Sequence, residues 1–295
     1  MFLLCSDGRA DEFARGRAQG AAQISFNRED CGSLVAPAEC GEAMPSFDQT
    51  PDAPKPFGFK VSWFAVPASD PASVLDALKF GEATPANWTS GVAAAYWDGP
   101  SSDRWVFVSP AVGGWVLVVG SYLPYPTLET HHDIGKRFDV LFSRLMQRFD
   151  DVQFFGSHRV VDFVAWARAV KGKPTRIFAW SGSDGAVLAN IGEQTPEEAK
   201  LGFSNLSGLS PSDAADKIFA IEEEQAVEED KLVSSGHSRR EAWTRVRQNG
   251  RGGFPEETDV VELAALWSVD PTVLDDQDRP LDLGLAARPP ENLTP

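Results

Sequence analysis

The stretch Phe57-Gly58-Phe59-Lys60-Val61-Ser62-Trp63-Phe64-Ala65-Val66 decides how the rest of the chain reads. Phe57, Phe59, Val61, Trp63 and Ala65 alternate with Gly58, Lys60, Ser62, Phe64 and Val66. Bulky apolar residues in both sets mark a strand buried on its two faces. Ser69 or Asp70 then caps a helix with Pro71 in its first turn, Val74, Leu75 and Leu78 on one face, and Gly81 at its end. Two β-rich runs follow, 105–109 and 115–120, joined by a reversal through Pro110 and the Gly113-Gly114 pair. Over 131–149, Ile134, Phe138, Leu141, Phe142, Leu145 and Phe149 recur at spacings of three and four, the period of an amphipathic helix. A short strand at 152–155 closes the series. Strand, helix, strand, strand, helix, strand predicts an α+β fold with a ferredoxin-like β-α-β-β-α-β core, both helices lying on one face of an antiparallel sheet.

Residues 160–170 satisfy both the helical and the strand period, and Ser157 as cap with Gly172 as stop favours an added helix. Runs 175–180 and 186–191, separated by Ser181-Gly182-Ser183-Asp184-Gly185, predict a hairpin whose glycines permit positive backbone angles. Beyond it the chain turns helical. Thr195-Pro196-Glu197-Glu198 is a capping box, Ser210-Pro211 opens a second helix, and a last helix is expected at 257–267. The division that results is a flexible lead-in at 1–56, an α+β core at 57–192, a helical region packed on it at 193–270, and an extended proline-rich tail at 271–295.

Composition narrows the classes of function. Of 295 residues, 42% are hydrophobic and 11% aromatic, which is enough large side chains to offset the ordering entropy of folding. A formal charge of -16 repels phosphate backbones and anionic lipid, which disfavours nucleic acid and membrane as main partners. The same field attracts a cationic protein, although acidity also serves solubility. Cys5, Cys31 and Cys40 share no metal-ligand spacing and form no disulfide framework. Residues 1–5 lack the charged start and long apolar stretch of a secretory signal, so a cytoplasmic location is expected.

Several constellations invite chemistry. On the expected helix, His158 and Asp162 lie four residues apart and share a face, so the carboxylate can hold the imidazole in one tautomer for acid-base work; an ordinary surface pair explains them as well. No nucleophile accompanies them, since Ser157 reads as a cap. His131-His132-Asp133 suggests a metal, but adjacent helical residues diverge by about 100°, so no metal site is expected. The loops at Gly113-Gly114 and Gly182–Gly185 lack the lysine and strand-to-helix setting of phosphate loops, and no cofactor is expected. A partner surface is the better expectation. Trp88, Tyr96 and Tyr125 fall in turn-like stretches and are candidate aromatic anchors. Glu222, Glu223, Glu224, Glu228 and Glu229 stud a helix able to dock by one narrow stripe. Arg239, Arg240, Arg245, Arg247 and Arg251 form a basic island, read either as a solvated face pairing with the preceding acidic helix or as a contact for a partner.

Phe57-Gly58-Phe59-Lys60, Gly113-Gly114-Trp115-Val116-Leu117-Val118-Val119-Gly120 and Phe154-Phe155-Gly156-Ser157-His158-Arg159 together resemble stand-alone bacterial proteins of the immunity type, which neutralise contact-delivered toxins. The resemblance covers about the middle half of the chain and carries no catalytic residue. It implies that class and no sites; with the acidic field, the aromatic loops and the missing catalytic motifs, the expectation is a protein-binding module with a basic toxin or enzyme as partner, and the alternative is a hydrolase or transferase of small substrates using His158 and Asp162.

Overall fold

A computed structural model describes residues 45–99, 104–128, 133–249, 254–274 and 281–290, with the backbone alone for 247–249. Its strands are β1 (Ser62–Pro67), β2 (Ala83–Ala86), β3 (Val106–Val108), β4 (Trp115–Gly120), β5 (Asp151–His158), β6 (Phe163–Val170), β7 (Lys173–Ser181), β8 (Ala186–Gly192) and β9 (Gly284–Ala287). Its helices, numbered in chain order, are α1 (Pro71–Leu78), α2 (Trp88–Ala95), α3 (Ile134–Met146), α4 (Pro196–Lys200), α5 (Pro211–Ser234), α6 (Arg239–Asn249) and α7 (Glu257–Trp267). The strands form one nine-stranded sheet in the order β2-β9-β3-β4-β1-β5-β6-β7-β8, antiparallel at every pairing. The contacts divide the chain into Met1–Ala43 and Met44–Pro295, and every element named here belongs to the second unit.

The alternation in β1 sorts the core into two layers, because successive strand residues point to opposite faces. Phe64 and Val66 join Val116, Val118 and Phe154 beneath α1 and α3, where Phe138, Leu141 and Leu145 meet them. Trp63 and Ala65 join Leu117, Val119, Phe155 and Trp166 on the other face, under Trp88 of α2, Ile218 of α5 and Leu263 of α7. With both faces covered, the central strands carry apolar residues at every position, and each fully buried Phe contributes about 1.5–3 kcal/mol. Asp70 caps α1 by accepting from Ala72 and Ser73 N–H, while Lys79, at φ 55, rather than Gly81 ends it.

Four expectations change. Residues 160–170 are not a helix: 163–170 form β6, paired along its length with β5 and β7. The cause is burial on both faces, which erases the two-residue alternation. Ser157 is not a cap but a buried β5 residue, and Gly172 is not a helix stop. Lys171 (φ 51) and Gly172 (φ 71) instead make the two-residue turn into β7, whose central positions require positive φ. The tail is not merely extended, since Gly284–Ala287 enters the sheet as β9 between β2 and β3. Gly284 allows this, for a Cβ there would stand 2.5 Å from a Phe107 ring carbon.

The lead-in is likewise tied down where it is described. Phe47 packs edge-on against Trp105 at 4.8 Å, and Asp52 accepts from Trp88 and Thr89 N–H at 2.7 and 3.1 Å, capping α2 from outside. Finally, β2 and α2, which no sequence signal announced, interrupt the expected series between α1 and β3. The Cys5, Cys31 and Cys40 thiols lie outside the described residues.

Candidate functional site

At one end of the sheet a cavity of about 710 Å³ opens between the segment before β1, the β5–β6 turn, the β7–β8 turn, α5 and the start of α7. Its apolar walls are Phe163, Val164, Trp180, Phe219 and Phe254, with Phe59 beside them. Three of these rings brace one another: Trp180 to Phe254 at 5.1 Å, Trp180 to Phe219 at 5.8 Å, and Phe219 to Phe254 at 5.5 Å edge-on. Lys60, Arg159, Asp162, Glu256 and Glu257 supply the charged part of the lining. The volume falls in the range typical of small-ligand pockets, roughly 300–1,000 Å³.

Glu257 is the structural knot. Its Oε1 accepts from the Ser157 hydroxyl at 3.1 Å and from the Lys60 and Arg159 N–H groups at 3.3 Å each. One carboxylate on the first turn of α7 thereby holds the chain before β1 and the turn after β5, both distant in sequence. Lys60 (φ 56) and Asp162 (φ 46) take left-handed backbone conformations, strained for L-residues, at the two places where these segments bend into the cavity. Gly182 closes the remaining side. Its N–H donates to the Asp162 carbonyl at 3.1 Å, and a Cβ there would stand 2.5 Å from that of Asp162. Tyr96 buttresses the wall by donating to the Phe59 carbonyl at 2.8 Å; burial, opposed by the Gly58 and Phe59 backbone and reinforced by the charge of Glu257, pushes its phenol up to about 12.

The residues singled out from sequence scatter around this cavity. Asp162 lines it, whereas His158, the last residue of β5, is not among its walls. The pair therefore does not share a helix face, and Ser157, 2% exposed and donating to Glu257, is no free nucleophile. Trp88 is a correction as an anchor: it is 2% exposed and packs against Phe107 at 5.4 Å, because α2 turns it into the core. Tyr125 is half-buried against Phe163 at 4.6 Å, while Tyr96 keeps 36% of its surface exposed. On α5, Glu223, Glu224 and Glu228 are exposed and Glu222 and Glu229 half-buried. Glu222 accepts from Phe254 N–H at 2.8 Å, so the acidic helix also fixes a wall of the cavity.

In the basic island Arg239, Arg240 and Arg245 are exposed on α6; the Arg247 side chain and all of Arg251, like His131 and His132, lie outside the described residues. Among the described residues no group of three or more His, Cys, Asp or Glu could hold a metal ion, and no helix is long and apolar enough to cross a membrane. No local signal in the sequence singles out Glu257, Phe219 or Phe254. Only the start of a helix marks Glu257 there, and its link to Ser157 spans 100 residues. No family model, curated protein or solved structure matches the chain.

Proposed function

We propose that the protein is a cytoplasmic binding protein of immunity or inhibitor type, which docks to a basic toxin or enzyme through the acidic outer side of α5. The observation that carries the reading is the set of exposed carboxylates Glu223, Glu224 and Glu228 on a helix that buries only Ala214, Ala215 and Ile218, in a chain of formal charge -16. Carboxylates on a fixed scaffold steer a cationic partner and suppress wrong ones. Exposed apolar side chains add contact area nearby, Val227 at 51% on α5 and Trp243 at 45% on α6, and Trp is a favoured anchor at interfaces. The frame that presents them is read as a ferredoxin-like core enlarged at both edges; the run β3-β4-β1-β5 within the sheet order, with α1 and α3 on one face, supports it. The enzymatic alternative loses the shared helix face on which it placed His158 and Asp162.

The test is capture by the immobilised full chain from native lysate at low and high salt, beside a variant carrying Glu223→Lys, Glu224→Lys and Glu228→Lys. A basic protein held by the unmodified chain at low salt, and released by either the charge reversals or high salt, is expected. Capture of nothing basic, or capture indifferent to both changes, overturns the reading.

A further inference from the structure

We infer that the cavity beside α7 receives an arginine side chain of the basic partner, an inference that rests on the protein-binding reading above. A residue suited to this cavity needs an apolar stem, a flat end that lies against rings, and positive charge. The stem follows from the walls, where the half-buried Phe219 and Phe254 are braced from behind by the buried Trp180. The charge follows from the lining, where Asp162, Glu256 and Glu257 outnumber Lys60 and Arg159. The latter two spend their backbone N–H groups on Glu257 and carry their charges on exposed side chains. Guanidinium fits better than ammonium because it is planar, stacks on aromatic faces, sheds water more readily and meets a carboxylate through two parallel bonds.

The position of the cavity agrees with its use by the same partner. Phe219, which walls it, lies four residues before Glu223 on α5, so the two share a helix face and the acidic ridge begins one turn from the mouth. Val160, 69% exposed, sits in the β5–β6 turn between the lining residues Arg159 and Asp162, and Phe59 is 43% exposed. A concave aromatic site ringed by apolar and charged groups is the arrangement in which interfaces concentrate binding energy, and arginine is enriched there. A volume of about 710 Å³ exceeds one side chain, so residues flanking the arginine enter with it.

The experiment titrates the full chain with acetyl-Gly-Arg-Gly-amide and with the same peptide carrying citrulline, which keeps the shape and loses the charge, and follows binding by NMR. Saturable binding of the arginine peptide, weaker by about 10-fold or more for citrulline, is expected from the loss of a charge-assisted contact. Asp162→Asn with Glu256→Gln should weaken the arginine peptide to a similar degree. Asn tolerates the left-handed backbone at Asp162, and Gln retains an acceptor for the α7 cap, so the fold is preserved. Equal affinity for the two peptides, or no saturable binding to the unmodified chain, overturns the inference. So does partner capture that the ridge reversals on α5 abolish and the Asp162/Glu256 pair leaves unchanged, an outcome in which the protein-binding reading survives. A chain that binds the arginine peptide yet captures no basic protein overturns that reading and leaves the guanidinium preference of the cavity standing.

Discussion

At the scale of single residues, the molecule stakes most on buried polar groups that are fully engaged. Arg176 and Glu198, 3% and 1% exposed, pair at 2.9 Å, and the Glu198 carboxylate also accepts from Trp166 Nε1 at 2.9 Å and Thr195 N–H at 2.8 Å. Removing one member leaves the other charge buried, at a cost of about 3–5 kcal/mol. Glu198→Gln keeps a single acceptor oxygen, which serves Trp166 Nε1 or the Thr195 N–H but not both, and it strands Arg176, so urea unfolding should show a loss of at least that order, and adding Arg176→Met should restore part of it. Tyrosine ionisation offers a second check. Burial, first among the causes, raises Tyr96 and Tyr122 to about 12 from the ordinary 10.0, and at Tyr122 the hydrogen bond to Asp98 adds to it. A phenol whose folded value is raised holds its proton where the unfolded chain has lost it, so stability is full below pH 10 and declines as pH climbs toward 12. Tyr96→Phe should flatten that decline in alkaline unfolding curves, and spectrophotometric titration should show two phenols ionising late.

At the scale of elements, two glycines separate backbone strain from crowding. Gly172, at φ 71, has nothing nearer a built Cβ than the Met146 carbonyl oxygen at 3.6 Å. Gly172→Ala should therefore cost only the left-handed conformation, about 1–2 kcal/mol, and Gly172→Asn should cost less. Gly284 has no such freedom, because a Cβ would meet Phe107 ring carbons at 2.5 and 2.7 Å and the Val108 carbonyl oxygen at 2.5 Å. Gly284→Ala should push β9 out of the sheet and raise hydrogen exchange in β2 and β3, the two strands it joins; protection unchanged there would contradict the strand order. The helix of α3 is legible because one face is wet and the period survives, whereas β6 carries the helical period as well as the strand period because Phe163 through Ala167 are all buried. The Lys171-Gly172 turn was legible as a stop, but a stop for a helix and for a hairpin carry the same glycine.

At the scale of the whole molecule, the net charge sets the long-range field that a charged partner would meet. With a formal charge of -16, association with a cationic partner should slow steeply as salt rises, since the Debye length falls to about 10 Å at 0.1 M. Stopped-flow association rates across an ionic-strength series should show that slope for the unmodified chain and a shallower one after reversal of Glu223, Glu224 and Glu228. The sequence by itself determined the α+β class, the antiparallel hairpins of β3–β4 and β7–β8, the capped starts of α1, α4 and α5, and the acidic field, because each depends on neighbouring residues or on a sum over the chain. Tertiary structure alone decided the rest. It brought a tail strand between β2 and β3, joined Glu257 to Ser157, and set Phe219 and Phe254 against Trp180. Those partners are fixed by how two layers of helices close over one sheet, and no local period or spacing encodes which distant segments meet when they do.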